Sequence, residues 1–99
     1  MIKLFLDDER QVPDNSWLKV KTVKDAINFL KNNIVDIISL DHDLGTDKEC
    51  GYDVLLWIEE QVFTNSNFVL PEIKIHTANP SARIKMKLAL KRITKKYHE

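Results

Sequence analysis

Apolar residues in this chain come in two rhythms. Short continuous blocks alternate with longer stretches in which they recur at three- and four-residue intervals. The first block, Ile2-Lys-Leu-Phe-Leu6, stops at Asp7-Asp8-Glu9-Arg10 and predicts a buried strand running into an acidic loop. Pro13, Asp14, Asn15 and Ser16 are turn residues, and Trp17-Leu-Lys-Val20 alternates weakly as a second short strand. Thr22 with Asp25 resembles a capping box. Behind it Val23, Ala26, Ile27, Leu30 and Ile34 keep helical spacing, which predicts a helix over 23–32 closed by Asn32-Asn33. Asp36-Ile-Ile-Ser-Leu40 is apolar apart from Ser39, the pattern of a central parallel strand covered on both faces. A polar loop follows over 41–51, flanked by the chain's two glycines, Gly45 and Gly51. Glycine suits a tight turn or a close approach of the backbone to a ligand.

A helix starting near Tyr52 shows Leu55, Ile58 and Val62 on one face. Glu72-Ile-Lys-Ile75 reads as a further strand ending at His76-Thr-Ala-Asn79. Pro80 then fits the first position of a last helix, where no backbone N–H is needed. Ala82, Met86, Ala89, Leu90, Ile93 and Tyr97 form its apolar stripe. The order is strand, strand, helix, strand, helix, strand, helix. Such alternation predicts an α/β domain with a mainly parallel sheet. Ligands bind such sheets beyond the carboxyl ends of the strands. Three strand ends here are polar, at Asp7-Asp8, Asp41-His42-Asp43 and His76-Thr77-Asn79, and the topology brings all three to one rim.

Composition narrows the class. Ninety-nine residues, 43% apolar and 30% charged, make a single domain over 1–99 with a modest core. There is no apolar run long enough for a membrane span, so no membrane partner is expected. Met-Ile-Lys is not a basic stretch followed by an apolar block, which makes a cytoplasmic setting the default. One cysteine, Cys50, excludes an internal disulfide and reads as inert rather than nucleophilic. Net charge is zero, yet residues 1–60 carry 7 Lys/Arg against 13 Asp/Glu and residues 61–99 carry 8 against 2. The halves either pair in the fold or face separate partners.

Carboxylates gathered at one rim repel unless a cation neutralises them. Oxygen ligands with room for water and phosphate suit Mg²⁺ or Mn²⁺. Asp8 and Asp41, with Asp7 close by, are the expected metal ligands. Thr77 and Asn79 stand just before a helix, where side-chain donors and free N–H groups suit a phosphate oxygen; the alternative is that they cap that helix. Arg10 suits a bidentate phosphate contact, or pairing with a neighbouring acid. His42 and His76, at the same rim, suit general acid–base work. An EF-hand reading fails, because Thr46 stands at its sixth position and Tyr52 at its twelfth.

The motifs also resemble a known group. Leu6-Asp7-Asp8-Glu9, Asp36-Ile-Ile-Ser-Leu-Asp41 with Gly51-Tyr-Asp-Val-Leu-Leu56, and Ile75-His-Thr-Ala78 resemble a response-regulator receiver domain, over about residues 2–96. The resemblance implies a flavodoxin-like three-layer sandwich, with Asp7/Asp8 at Mg²⁺, Asp41 as phosphoryl acceptor and Thr77 on the phosphoryl oxygen. The chain departs from that pattern by lacking the fifth strand and its lysine, which leaves a truncated four-stranded sheet. Leu-Asp-Asp-Glu-Arg10, Leu-Asp-His-Asp-Leu-Gly45 and Ile-His-Thr-Ala-Asn-Pro80 are more narrowly similar to the cyclic-phosphate-processing receiver-like family of bacteria and phages.

That narrower resemblance implies a metal-dependent phosphoesterase opening cyclic phosphates on nucleotide-type substrates, ADP-ribose cyclic phosphate among them. In this reading His42 and His76 are base and acid, and Thr77, Asn79 and Arg10 hold the phosphate. Asp41 is a ligand or the attacking nucleophile, and Asp43 is a further ligand or a partner for a histidine. The alternative is a non-enzymatic signalling module, phosphorylated on Asp41 or acting through protein contacts. Nucleic-acid binding by residues 83–96 is the weakest reading, given 8% aromatics and zero net charge. The missing fifth strand leaves a sheet edge that a homodimer would cover.

Overall fold

The computed structural model describes residues 1–42 and 50–99. Asp43 and Gly45 lie outside the described residues. Four strands, β1 (Lys3–Leu6), β2 (Trp17–Val20), β3 (Ile37–Leu40) and β4 (Glu72–Ile75), alternate with α1 (Val23–Asn32), α2 (Gly51–Thr64) and α3 (Pro80–Tyr97). The sheet order is β2-β1-β3-β4 and every pairing is parallel. This is the truncated flavodoxin-like receiver fold, with β4 as an edge where a fifth strand would follow.

The helix ends follow local chemistry. The Thr22 hydroxyl accepts from the Asp25 N–H, 3.1 Å away, and caps α1. Asn33 is extended, so the chain leaves the helix before Ile34, which is 66% exposed instead of completing the α1 stripe. Val35, 2% exposed, takes the place in the core. Asn79 caps α3 and Pro80 stands in its first turn, as its missing N–H favours.

The β2-to-β3 and β3-to-β4 crossovers step in the same direction across the sheet. Right-handed connections therefore put α1 and α2 on one face, and α3 packs on α2. Leu4, Leu6, Ile38 and Leu40 point to that face and join Leu55, Ile58 and Ile93 in one core cluster, each fully buried. The chain between β1 and β2 carries no helix. The truncation thus reaches beyond the fifth strand, and the layer on the opposite face is built from side chains. Phe5, 4% exposed, is covered there edge-on by Trp17, with ring centroids 5.9 Å apart.

Candidate metal centre

Strand register builds the site. Leu6 pairs with Leu40, and Leu40 with Ile75. The ladder runs one residue further, because the N–H of Asp7 donates to Val20 O at 3.1 Å, that of Asp41 to Leu6 O at 3.1 Å and that of His76 to Leu40 O at 3.0 Å. Asp7, Asp41 and His76 are therefore one cross-strand row. Strand alternation turns that row away from the helices, since its neighbours Leu6 and Leu40 face the core. One ligand atom from each of the three lies within 4.8 Å of the others.

Each member is held from behind. Asp7 is 1% exposed. Its Oδ1 accepts from the backbone N–H groups of Glu9 and Arg10, both at 2.9 Å, and its Oδ2 faces His76 Nε2 at 3.0 Å. Burial works against the Asp7 charge, but the Arg10 and Glu9 N–H groups, with His76, outweigh it and hold the carboxyl below its usual range. Asp41 behaves oppositely. Burial, and then the neighbouring Asp7 charge, push it above that range, although its Oδ1 accepts from the His42 N–H at 2.8 Å.

His76 stacks on Phe5, with centroids 4.4 Å apart and planes 7° from parallel. Its Nδ1 meets Ser39 Oγ at 2.7 Å. Burial is the largest influence on the ring and holds it below the usual histidine value, in spite of its bond to Asp7. A neutral ring has one N–H, and an ionised carboxylate only accepts. Nε2 therefore carries the proton toward Asp7, and Nδ1 accepts from Ser39.

The other expected residues take these places. Asp8 is half-buried beside Asp7 and outside the group of three. Arg10 is exposed and donates from its guanidinium to His76 O at 2.9 Å, which ties the β1 loop to the end of β4. His42 is half-buried, and its carbonyl accepts from the Gly51 N–H at 3.1 Å. Thr77 is 1% exposed and its hydroxyl accepts from the Asn79 N–H at 3.2 Å. Asn79 Oδ1 accepts from the Ala82 N–H at 3.1 Å, the capping alternative. Burial pushes the half-buried Cys50 thiol up, in keeping with an inert residue.

Three neighbours escaped the sequence reading as site residues. Ser39 and Phe5 hold His76. Arg83, in the first turns of α3, donates to Thr77 O at 2.6 Å and braces the β4 end. Ser39 had a visible signal, as the one polar residue in an apolar strand. Gly51 makes a close approach, though to the chain itself: a Cβ there would sit 1.8 Å from Asp41 O.

Two carboxylates and one imidazole make a mixed oxygen and nitrogen donor set, which fits a first-row divalent ion such as Mn²⁺ better than an all-oxygen preference for Mg²⁺. No helix among the described residues is long and apolar enough to cross a membrane. No curated protein and no solved structure matches the chain. The family model of the cyclic-phosphate processing receiver domain does match it, over residues 2–92, and the chain belongs to that family.

Proposed function

We propose that this protein is a metal-dependent phosphoesterase that opens cyclic phosphates on small nucleotide-type substrates, ADP-ribose cyclic phosphate among them. The observation that carries the reading is the closure of Asp7, Asp41 and His76 to within 4.8 Å at the ligand-binding rim of a parallel sheet. These three hold Mn²⁺ or Mg²⁺, with Asp8 beside them as a further oxygen donor. An ion held there would supply polarisation of the phosphate oxygens and a lowered pKa for a water.

The chain's own residues do the rest. Arg10 offers charged donors at the mouth of the site, where a phosphate oxygen takes them. Thr77 and Asn79 bring the N-terminus of α3, the positive end of its dipole, to the same rim, where it favours a phosphate. In the hydrolysis, an oxygen of water bonds to phosphorus as one ring P–O bond breaks. The water's proton passes to a rim base and a proton reaches the departing alkoxide, leaving a phosphomonoester. His42 is the half-buried imidazole at the rim outside the group of three, and takes the proton-transfer role.

A panel of 2′,3′-cyclic nucleotides and ADP-ribose cyclic phosphate, incubated with Mn²⁺ or Mg²⁺ and with EDTA, tests this. Ring opening is expected from the wild type with metal, and lost in EDTA and in Asp41→Asn. No turnover of any member by the metal-loaded wild type overturns the phosphoesterase reading. A metal-dependent mass gain from acetyl phosphate, absent in Asp41→Asn, would replace it with phosphoryl acceptance at Asp41.

A further inference from the structure

Ser39 is the polar exception in β3, and its surroundings explain what a hydroxyl does there. It is 6% exposed and sits on the side of the sheet away from the helical core, two residues below the Asp7–Asp41–His76 row and on the same face. Its Oγ lies 2.7 Å from His76 Nδ1, while the opposite ring nitrogen faces Asp7 Oδ2 at 3.0 Å. Phe5 fixes the plane of the same ring by stacking at 4.4 Å. Two torsions set an imidazole, and three contacts here determine both. A carboxylate, an imidazole and a hydroxyl in line also describe a hydrolytic triad. This line runs the wrong way for one. The hydroxyl is only 6% exposed and lies within β3, below the strand ends where ligands bind such sheets, rather than at the rim.

We propose that Ser39 is a positioning residue, whose hydroxyl anchors His76 Nδ1 and so aims Nε2 at the Asp7–Asp41 rim. A hydroxyl suits this task because it both donates and accepts. It donates to Nδ1 while the ring proton is on Nε2. It accepts from Nδ1 when the proton is there, the arrangement that leaves the Nε2 lone pair free for an electrophile. Alanine supplies neither bond, and threonine supplies both. The ring's anchorage belongs to the protein alone. The consequence for a cation rests on the phosphoesterase reading above. A ligating histidine is commonly oriented through its other nitrogen, and losing that partner costs about 10- to 100-fold in metal affinity.

The first measurement is made on metal-free protein. A long-range ¹H–¹⁵N spectrum of the wild type is expected to show one His76 tautomer with the proton on Nε2, and strong ring-to-ring Overhauser contacts with Phe5. In Ser39→Ala the Nε2 proton stays toward Asp7, but the Nδ1 resonance shifts with the loss of its hydrogen bond and the contacts to Phe5 weaken, while Ser39→Thr keeps the wild-type pattern. A wild-type His76 spectrum in Ser39→Ala overturns the proposal. Should Ser39→Ala not fold, Ser39→Cys carries the comparison, because its S–H is a much weaker partner of similar size.

The second measurement is Mn²⁺ binding, read by the paramagnetic signal of the free ion. Ser39→Ala is expected to bind about 10- to 100-fold more weakly, and Ser39→Thr to recover the wild-type value. Equal affinity in all three proteins also overturns the role assigned to Ser39. A wild type that takes up no Mn²⁺ removes the cation reading instead, and the metal-free spectrum still decides the anchorage of His76.

Discussion

Asp41 shows how one residue trades stability for chemistry. Its carboxyl is half-buried beside the ionised Asp7, and both burial and that charge raise its proton affinity. The folded state therefore favours the neutral acid. That stabilisation is complete below the ordinary carboxyl value of 3.8 and is lost as pH rises through the raised folded value. At neutral pH the charge is a burden on the metal-free fold. Asp41→Asn is expected to raise the metal-free melting temperature by a few degrees, on the scale of roughly 4–8 °C per kcal/mol for a domain of this size. Adding Mn²⁺ should reverse the ranking. A site saturated at about 100 times its dissociation constant gains about 2.7 kcal/mol, and the variant gains little. Calorimetric scans of both proteins with and without Mn²⁺ check this, and a variant less stable than the wild type without metal would contradict it.

His76 gives the opposite sign. Burial lowers its folded value below 6.5, so the unfolded chain takes up the proton first. Stability is full above pH 6.5 and falls as pH drops through the lowered folded value. The metal-free wild type should lose stability as pH falls below 6.5 toward the lowered folded value, and His76→Gln should lose much less over that window, as read by urea midpoints. Equal slopes would place the titrating group elsewhere.

At the level of elements, Gly51 shows what the first turn of α2 requires. The helix starts against the end of β3, its N–H bonded to His42 O at 3.1 Å. A Cβ on residue 51 would meet Asp41 O at 1.8 Å and Met86 Cε at 3.3 Å. The methionine end can move, but the backbone carbonyl cannot move without shifting Asp41. Gly51→Ala should therefore cost more than the roughly 1–3 kcal/mol of ordinary overpacking, measured by chemical denaturation, and should weaken Mn²⁺ binding as well. Ile58→Ala, in the middle of the same helix and fully buried, should cost about 2–5 kcal/mol while leaving the rim unchanged.

The same element explains what the sequence discloses. Periodicity announces α1, α2 and α3, and short apolar blocks announce the strands, because each must bury one stripe or face. Convergence of Asp7, Asp41 and His76 follows from parallel topology alone. The choice of Asp7 over Asp8 does not, because Leu4-Phe5-Leu6 and Ile37-Ile38 are apolar at every position and hide which parity faces the helices. Once Leu4 and Leu6 are known to face the core, Phe5 and Asp7 must face away, and Ser39 and Asp41 with them. The role of Ser39 lies in this parity.

For the whole molecule, the opposed charges of the two halves ask how they meet. Residues 1–60 carry 13 acids and residues 61–99 carry 8 Lys/Arg, and α3 of the second half packs on α2 of the first. Among the described residues, the pair of a Lys or Arg with a carboxylate that joins the halves is Arg92 with Glu59 at 3.0 Å, and Arg92 is half-exposed. Such pairs contribute about 0.2–1 kcal/mol, so Arg92→Ala should change little. Lys85 instead lies over the Tyr52 ring, 4.0 Å from its centroid. Cancellation is then mostly a matter of field rather than contact. The molecule measures 35 × 30 × 21 Å, comparable with the screening length of about 30 Å at 0.01 M salt and well beyond about 8 Å at 0.15 M. Attraction between the halves should therefore be felt at low salt and fade toward physiological salt. The rim carboxylates repel at short range and are partly buried, where salt screens least. Melting temperature should fall as salt rises from about 0.01 to 0.15 M, and Arg92→Ala should show nearly the same fall. A rise would mean that like-charge repulsion within each half outweighs attraction between them. A fall abolished in Arg92→Ala would return the effect to the single surface pair.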